Sequence, residues 1–114
     1  MPFGAKWMEG YALEFIKGKV KGWLPDLVRE YQEQVALMEK QGILLWPNLS
    51  VGLKTKAIER AFPYSATILA LNVDDVTDVI LEALSESGLQ MGREWLKLNL
   101  LAFRSDLAIF STMT

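Results

Sequence analysis

Three aspartates, Asp74, Asp75 and Asp78, stand within five positions at the start of an apolar helical pattern. Carboxylate oxygens are the ligands that Mg²⁺ and Ca²⁺ prefer, and residues three positions apart share one face of a helix. For this reason the three aspartates are the candidate metal site, although their spacing lacks the glycine and the distal glutamate of an EF-hand loop. Asp74, Asp75 and Glu82 are the weak candidates for acid–base chemistry.

The same aspartates also fit the beginning of a helix. Asp74 or Asp75 would accept hydrogen bonds from the first unpaired N–H groups, and the remaining carboxylates would be favoured by the helix dipole. This structural interpretation explains all three residues, so we favour it over a metal or acid–base role.

Other chemistry is restricted by the residue types that are missing. The 114 residues include no cysteine and no histidine. This excludes disulfides, thiolate nucleophiles, Cys-ligated zinc and every Ser–His or Cys–His catalytic arrangement. We therefore expect no catalytic residues and no cofactor, and the sequence leans away from an enzyme.

The apolar content is high for a chain of this length. Half of the residues (51%) are apolar and four are tryptophans, which can leave apolar surface uncovered. Such surface often marks an oligomer interface, and a two-fold dimer is the commonest closed form. An aromatic-lined pocket for a small molecule, with Trp23, Tyr31 and Trp95 in its wall, is the alternative use of the same residues.

The N-terminal half reads as helical. Apolar residues recur at helical spacing, Pro25 and Ser50 suit helix starts, and Gly42 and Pro63 suit helix ends. The glycines around residues 18–22 predict a turn, and residues 43–50 read as a brief strand or a buried connector. The predicted helices span 5–17, 24–41 and 51–62.

The C-terminal half reads as β-α-β-β. Residues 65–73 form a short apolar run that predicts a strand, and 75–87 fit a helix that ends at Gly88. Two apolar runs around Arg104-Ser-Asp predict a hairpin with strands at 94–103 and 107–113, and a helix through 93–103 is the alternative. The predicted fold class is α+β, with about three helices packed on a small C-terminal sheet.

The length of 114 residues predicts one domain, 1–114, and a cytoplasmic location is expected from the apolar pattern. No apolar run approaches the length of a membrane span. Lys54, Lys56 and Arg60 form a basic face, but the pI near 5.1 and the net charge of −2 argue against nucleic-acid binding.

Three functions are compatible with these observations. The first is a non-catalytic protein–protein interaction or assembly module that forms a homodimer, and the second is a small-ligand-binding or regulatory domain. A carboxylate-based enzyme is the third, and it ranks below the other two because the sequence contains no catalytic constellation.

Overall fold

The computed structural model describes residues 6–113, and every regular element in that part of the chain is helical. Two short 3-10 turns, Trp46–Asn48 and Phe62–Tyr64, flank the fourth helix. The seven α-helices are α1 (Lys6–Lys21), α2 (Leu24–Glu30), α3 (Gln32–Gln41), α4 (Val51–Ala61), α5 (Ser65–Ala70), α6 (Val73–Glu86) and α7 (Arg93–Met113).

Helix α6 is the centre of the bundle and packs against both α1 and α7. Its Val76, Thr77 and Ala83 are fully buried. The buried Thr77 hydroxyl donates a hydrogen bond to the Val73 carbonyl oxygen at 2.7 Å, so this polar group is satisfied inside the core. Helix α7 in turn packs against α4, α5 and the 3-10 turn at 46–48. None of the helices within 6–113 is long and apolar enough to cross a bilayer.

The predicted α+β class is wrong, because the described residues contain no strand. Residues 65–73, predicted as a strand, form α5, a two-residue connection and the first residue of α6. Ile68 of α5 is buried, and so is Leu71, which follows the helix in an extended conformation, so this apolar run packs into a helical core. The run is too short for its sequence period to distinguish the two structures.

The predicted C-terminal hairpin is also wrong. Residues 93–113 form the single helix α7, so the helical alternative for 93–103 is correct and the helix continues to Met113. Arg104 and Asp106, which were interpreted as turn residues, instead make tertiary hydrogen bonds. Arg104 Nη2 donates to the Leu69 carbonyl oxygen at 3.0 Å, and Asp106 Oδ2 accepts from Trp46 Nε1 at 2.8 Å.

The N-terminal half is helical as predicted, with different boundaries. The predicted start at residue 5 lies outside the described residues. Helix α1 continues through the predicted turn at 18–22 as far as Lys21, because Val20 packs into the core. The predicted helix 24–41 is divided at Tyr31 into α2 and α3. Residues 43–50 form a connector and not a strand, and of its residues only Trp46 is buried in the core.

The caps predicted from the sequence are observed at two helix ends, and a different residue is the cap at a third. Ser50 Oγ accepts a hydrogen bond from the Leu53 N–H at 3.2 Å, and Gly42 ends α3 with a left-handed φ of 71°. At α6 the cap is Asn72, whose side chain accepts from the Asp74 N–H at 2.8 Å. Asp74 and Asp75 therefore lie in the first turn and do not cap the helix.

Helices α1 and α6 are also joined by a network of ion pairs. Lys17 Nζ lies 2.5 Å from Glu82 Oε1 and 2.6 Å from Glu86 Oε2, and Lys21 Nζ lies 2.6 Å from Glu86 Oε1. The hydrogen bonds from Lys17 and then Lys21 lower the pKa of Glu86 from 4.5 to about 2. Ionisation of the Glu86 carboxylate therefore contributes to the free energy of unfolding.

We expect Glu86→Gln to reduce the acid sensitivity of the fold. A carboxylate with a lowered folded pKa stabilises the protein above its unfolded pKa, and that contribution is lost as the pH falls through the folded pKa. The melting temperature of the parent should therefore fall between pH 4.5 and about 2 more steeply than that of the variant. Circular dichroism melts measure this. Glu59→Gln, at an exposed residue of α4, is the matched control and should retain the parent's slope.

Candidate ligand-binding site

A cavity of about 160 Å³ lies between the helices and is partly open to solvent. Several helices, among them α1, α4 and α6, contribute to its wall through apolar residues four positions apart, which lie on one face of each helix. These stripes are Ile16 and Val20 of α1, Leu53, Ala57 and Ala61 of α4, and Val76, Ile80 and Leu84 of α6. The cavity is therefore built from the faces that close the core, and it occupies space that these side chains leave unfilled.

Helix α2 covers the cavity with half-buried side chains. Leu24, Leu27, Val28 and Tyr31 all line it, and Tyr31 stands at the break between α2 and α3. The Tyr31 hydroxyl makes no hydrogen bond within residues 6–113. In that part of the chain it is not one of the unpaired polar atoms that are buried, so solvent reaches it. Tyr31 therefore places a hydroxyl group where the cavity meets water.

The polar atoms of the remaining wall are occupied by protein partners. Trp95 Nε1 donates to the Ile43 carbonyl oxygen at 2.8 Å. Asn99 is buried, and its Oδ1 accepts from the Trp46 N–H at 2.9 Å while its Nδ2 donates to the Trp95 carbonyl oxygen at 2.8 Å. These groups present hydrocarbon surface to the cavity and leave few hydrogen-bonding positions for a bound molecule.

Trp23 and Trp46 complete the aromatic part of the wall in the same way. Trp46 Nε1 donates to Asp106 Oδ2 at 2.8 Å, and Trp23 Nε1 donates to the Tyr64 hydroxyl at 3.2 Å. Each indole is held by one hydrogen bond to a residue outside the cavity wall, as buried tryptophans commonly are. These hydrogen bonds orient the two rings within the cavity wall.

The three residues predicted to bind a small molecule meet at this cavity. Trp23, Tyr31 and Trp95 all line it, although they come from three separate parts of the chain. Whether they bind a ligand stays a prediction. Asn99 also lines the cavity and was not among the predicted residues, although an isolated amide in the apolar run 98–103 is a visible signal.

Two of the three aspartates predicted to bind a metal are ion-paired with cations of α7. Asp74 Oδ1 lies 3.0 Å from Lys97 Nζ and 3.1 Å from Arg93 Nη2, and Asp78 Oδ1 lies 2.7 Å from Arg93 Nε. The hydrogen bonds from Lys97 and then Arg93 lower the pKa of Asp74. Asp75 is exposed. These cations join the first two turns of α6 to the start of α7, and the ion pairs give Asp74 and Asp78 protein partners.

Metal and acid–base chemistry receive no further support from these carboxylates. No group of three or more potential metal ligands occurs in the described part of the chain. Glu82, a weak acid–base candidate, is ion-paired with Lys17 on the side of α6 that faces α1. The metal site stays a prediction, and the absence of a melting-temperature rise with Mg²⁺ or Ca²⁺ would contradict it.

Comparisons with protein-family models, with curated proteins and with solved structures found no match to this chain. A functional conclusion must therefore come from the cavity and from the surface of the protein itself.

Proposed function

We propose that this protein binds a small apolar molecule in the cavity between its helices. The observation that carries this proposal is the cavity of about 160 Å³, whose lining is almost wholly apolar. An engineered apolar cavity of about 150 Å³ in another protein stays dry and binds benzene. The volume and the chemistry of this wall are therefore sufficient for a molecule of that size.

The energetic cost of such a cavity supports the same conclusion. Unfilled volume in an apolar core is destabilising, because the side chains around it lose packing contacts, and the cost rises with the volume. Small domains are stable by only about 5 to 15 kcal/mol. A bound molecule would recover part of this loss, and that recovery is the driving force for binding.

Benzene and pyridine test the proposal, because the two molecules have the same shape and differ in polarity. Benzene should raise the melting temperature and change the tryptophan fluorescence, since Trp23, Trp46 and Trp95 line the cavity. A ligand at ten times its Kd adds about 1.4 kcal/mol, or roughly 6 °C for a domain of about 100 residues. Pyridine should have a smaller effect, because entry buries its nitrogen away from water.

Two results would count against this function. The first is an unchanged melting temperature and unchanged fluorescence up to the solubility limit of benzene. The second is an equal response to pyridine, which would indicate a general solvent effect rather than an apolar site.

Self-association is the second candidate function, and a surface of α7 favours it. Leu98, Leu101, Ile109 and Met113 are exposed, and their spacing of three, eight and four residues puts them near one side of the helix. We name these four residues the α7 stripe. The charged residues of the same stretch, Arg104 and Asp106, hydrogen-bond to the protein interior, so the stripe carries no charge.

We propose a second copy of the chain as the occupant of the α7 stripe. Leu101 and Ile109 lie four residues on either side of Ser105, so two antiparallel stripes would pair each leucine with an isoleucine about a two-fold axis. A cytoplasmic homodimer is thus the form that we propose for the assembled protein. The non-catalytic interaction module expected from the sequence would consist of this surface.

Light scattering over a range of protein concentrations measures the assembly. We expect a dimer that becomes a monomer in Leu101→Lys, because the interface would bury an unpaired charge. Leu37→Lys, at an exposed leucine of α3, is the matched control and should remain dimeric. A parent protein that is monomeric at every concentration would exclude this candidate.

A further inference from the structure

A second depression lies on the surface beside the apolar cavity. It is open, has a volume of about 380 Å³ and combines aromatic with basic side chains. We name it the cationic groove, and it is lined by Phe15, Lys19, Trp23, Arg60, Pro63 and Tyr64.

Within residues 6–113, both cations of the groove are free of carboxylate partners. Lys19 and Arg60 form no ion pair with any residue in 6–113, and no acidic residue of that part of the chain lines the groove. Lys19 Nζ lies 5.4 Å from the centroid of the Phe15 ring. In contrast, Lys17 and Lys21 on the same helix are neutralised by α6. The groove is therefore a local concentration of positive charge on a protein whose net charge is −2.

Tyr64 adds a neutral donor to these cations. Its hydroxyl oxygen accepts from Trp23 Nε1, and its own hydrogen is donated to no residue within 6–113. Burial raises the pKa of this phenol, so it retains the hydrogen at neutral pH. Lys19, Arg60 and Tyr64 together supply the donors that an anionic oxygen requires.

The groove and the apolar cavity share a wall. Trp23 lines both of them. Lys19 is followed in the chain by Val20, and Arg60 by Ala61, and both Val20 and Ala61 line the cavity. Each cation thus stands one residue from the apolar wall, on two helices that both contribute to the groove.

We infer that the natural ligand is an alkyl carboxylate, with its anionic head in the cationic groove and its hydrocarbon tail in the apolar cavity. The head is held by Lys19, Arg60 and Tyr64, and the tail passes Trp23. This inference rests on the proposed function, because it requires the cavity to accept hydrocarbon. It adds the polarity of the ligand, which the cavity alone does not specify.

Octanoate and 1-octanol separate the two parts of the site, because they share a tail length and differ in the charge of the head. Titration at neutral pH, followed by tryptophan fluorescence, gives both dissociation constants. The parent should bind octanoate about tenfold more tightly than octanol, since hydrogen bonds to a charged group are the stronger ones. Octanoate should also shift the Trp23 Nε1–H resonance in NMR spectra, because that N–H contacts Tyr64.

A charge-matched pair of double variants tests the assignment of the head. Lys19→Gln/Arg60→Gln should lower the octanoate affinity about tenfold and leave the octanol affinity unchanged. Lys40→Gln/Lys56→Gln removes the same charge from exposed residues outside the groove and should bind both ligands as the parent does. Circular dichroism spectra establish that each variant is folded.

The outcomes distinguish this inference from the proposed function. If octanol and octanoate bind equally and neither double variant changes this, the cavity function stands and the carboxylate assignment is wrong. If both double variants weaken octanoate alike, the attraction is general and the groove is not a site. If neither ligand binds and benzene is also without effect, the proposed function itself fails.

Discussion

Trp46→Ala is expected to lower the free energy of unfolding by about 3 to 5 kcal/mol, the typical cost of truncating a buried tryptophan. Trp46 is 6% exposed, and its ring stands edge-on to Phe103 with the centroids 4.9 Å apart. Its indole N–H and its backbone N–H are both bonded to α7, through Asp106 and Asn99. This residue therefore fixes the connector between α3 and α4 to the longest helix of the bundle.

Trp7→Ala is the matched control, because it makes the same substitution on the surface. Trp7 is 68% exposed and contacts Tyr11 edge-on, so its loss should cost less than about 1 kcal/mol. Urea denaturation measured by circular dichroism gives both values. Similar losses in the two variants would show that Trp46 does not anchor the connector.

Trp46→Phe divides the effect of Trp46 into packing and hydrogen bonding. The variant keeps an aromatic ring against Phe103 but removes the donor to Asp106. Because Asp106 is half-buried and can be reached by water, we expect a loss of about 1 to 2 kcal/mol. A loss as large as that of Trp46→Ala would mean that the hydrogen bond contributes most of the stabilisation.

The sequence predicts elements correctly where local signals decide the structure. Helix α4 begins at the Ser50 cap and ends before Pro63, and α6 ends shortly before Gly88, which has a left-handed φ of 81°. Caps, glycines and prolines act within a few residues, so their effect can be read without knowledge of the fold. Asn72 was missed because the neighbouring aspartates are equally good caps by residue type.

The C-terminal half was wrongly predicted because tertiary contacts decide its structure. Arg104 and Asp106 interrupt an apolar run, which suggests a turn in the sequence. In the fold they bond to Leu69 and Trp46, which precede them by 35 and 60 residues. No local rule contains these partners. The hydrogen bonds let α7 continue through a polar stretch that would otherwise favour a break.

In the candidate site, too, some features can be predicted from the sequence and others depend on tertiary packing. Trp23, Tyr31 and Trp95 could be selected by residue type, because aromatic side chains are common in ligand pockets. Ala57 and Ala61 could not, since a buried alanine signals close packing as readily as a cavity. The cavity is a property of how the helices are spaced, and its position follows only from the assembled bundle.

Ala57→Leu is expected to fill the cavity, to abolish binding of benzene and to stabilise the protein without ligand. Ala57 is 5% exposed and its side chain faces the cavity. Burial of three added carbon atoms stabilises the folded protein by about 2 kcal/mol. The loss of side-chain conformational entropy offsets about 0.5 to 1 kcal/mol of this gain. A gain of about 1 to 2 kcal/mol in the free energy of unfolding should therefore accompany the loss of binding.

Ala83→Leu is the matched control, and the opposite effect on stability is expected of it. Ala83 is fully buried in α6 but does not line the cavity, so the larger side chain must displace its neighbours at a cost of about 1 to 3 kcal/mol. Urea denaturation and benzene titration of both variants measure the difference. Because both changes add the same atoms to a buried alanine, opposite signs can come only from the space available at each position. Destabilisation by both would show that the core is closed at Ala57, and the ligand-binding function would then lose its site.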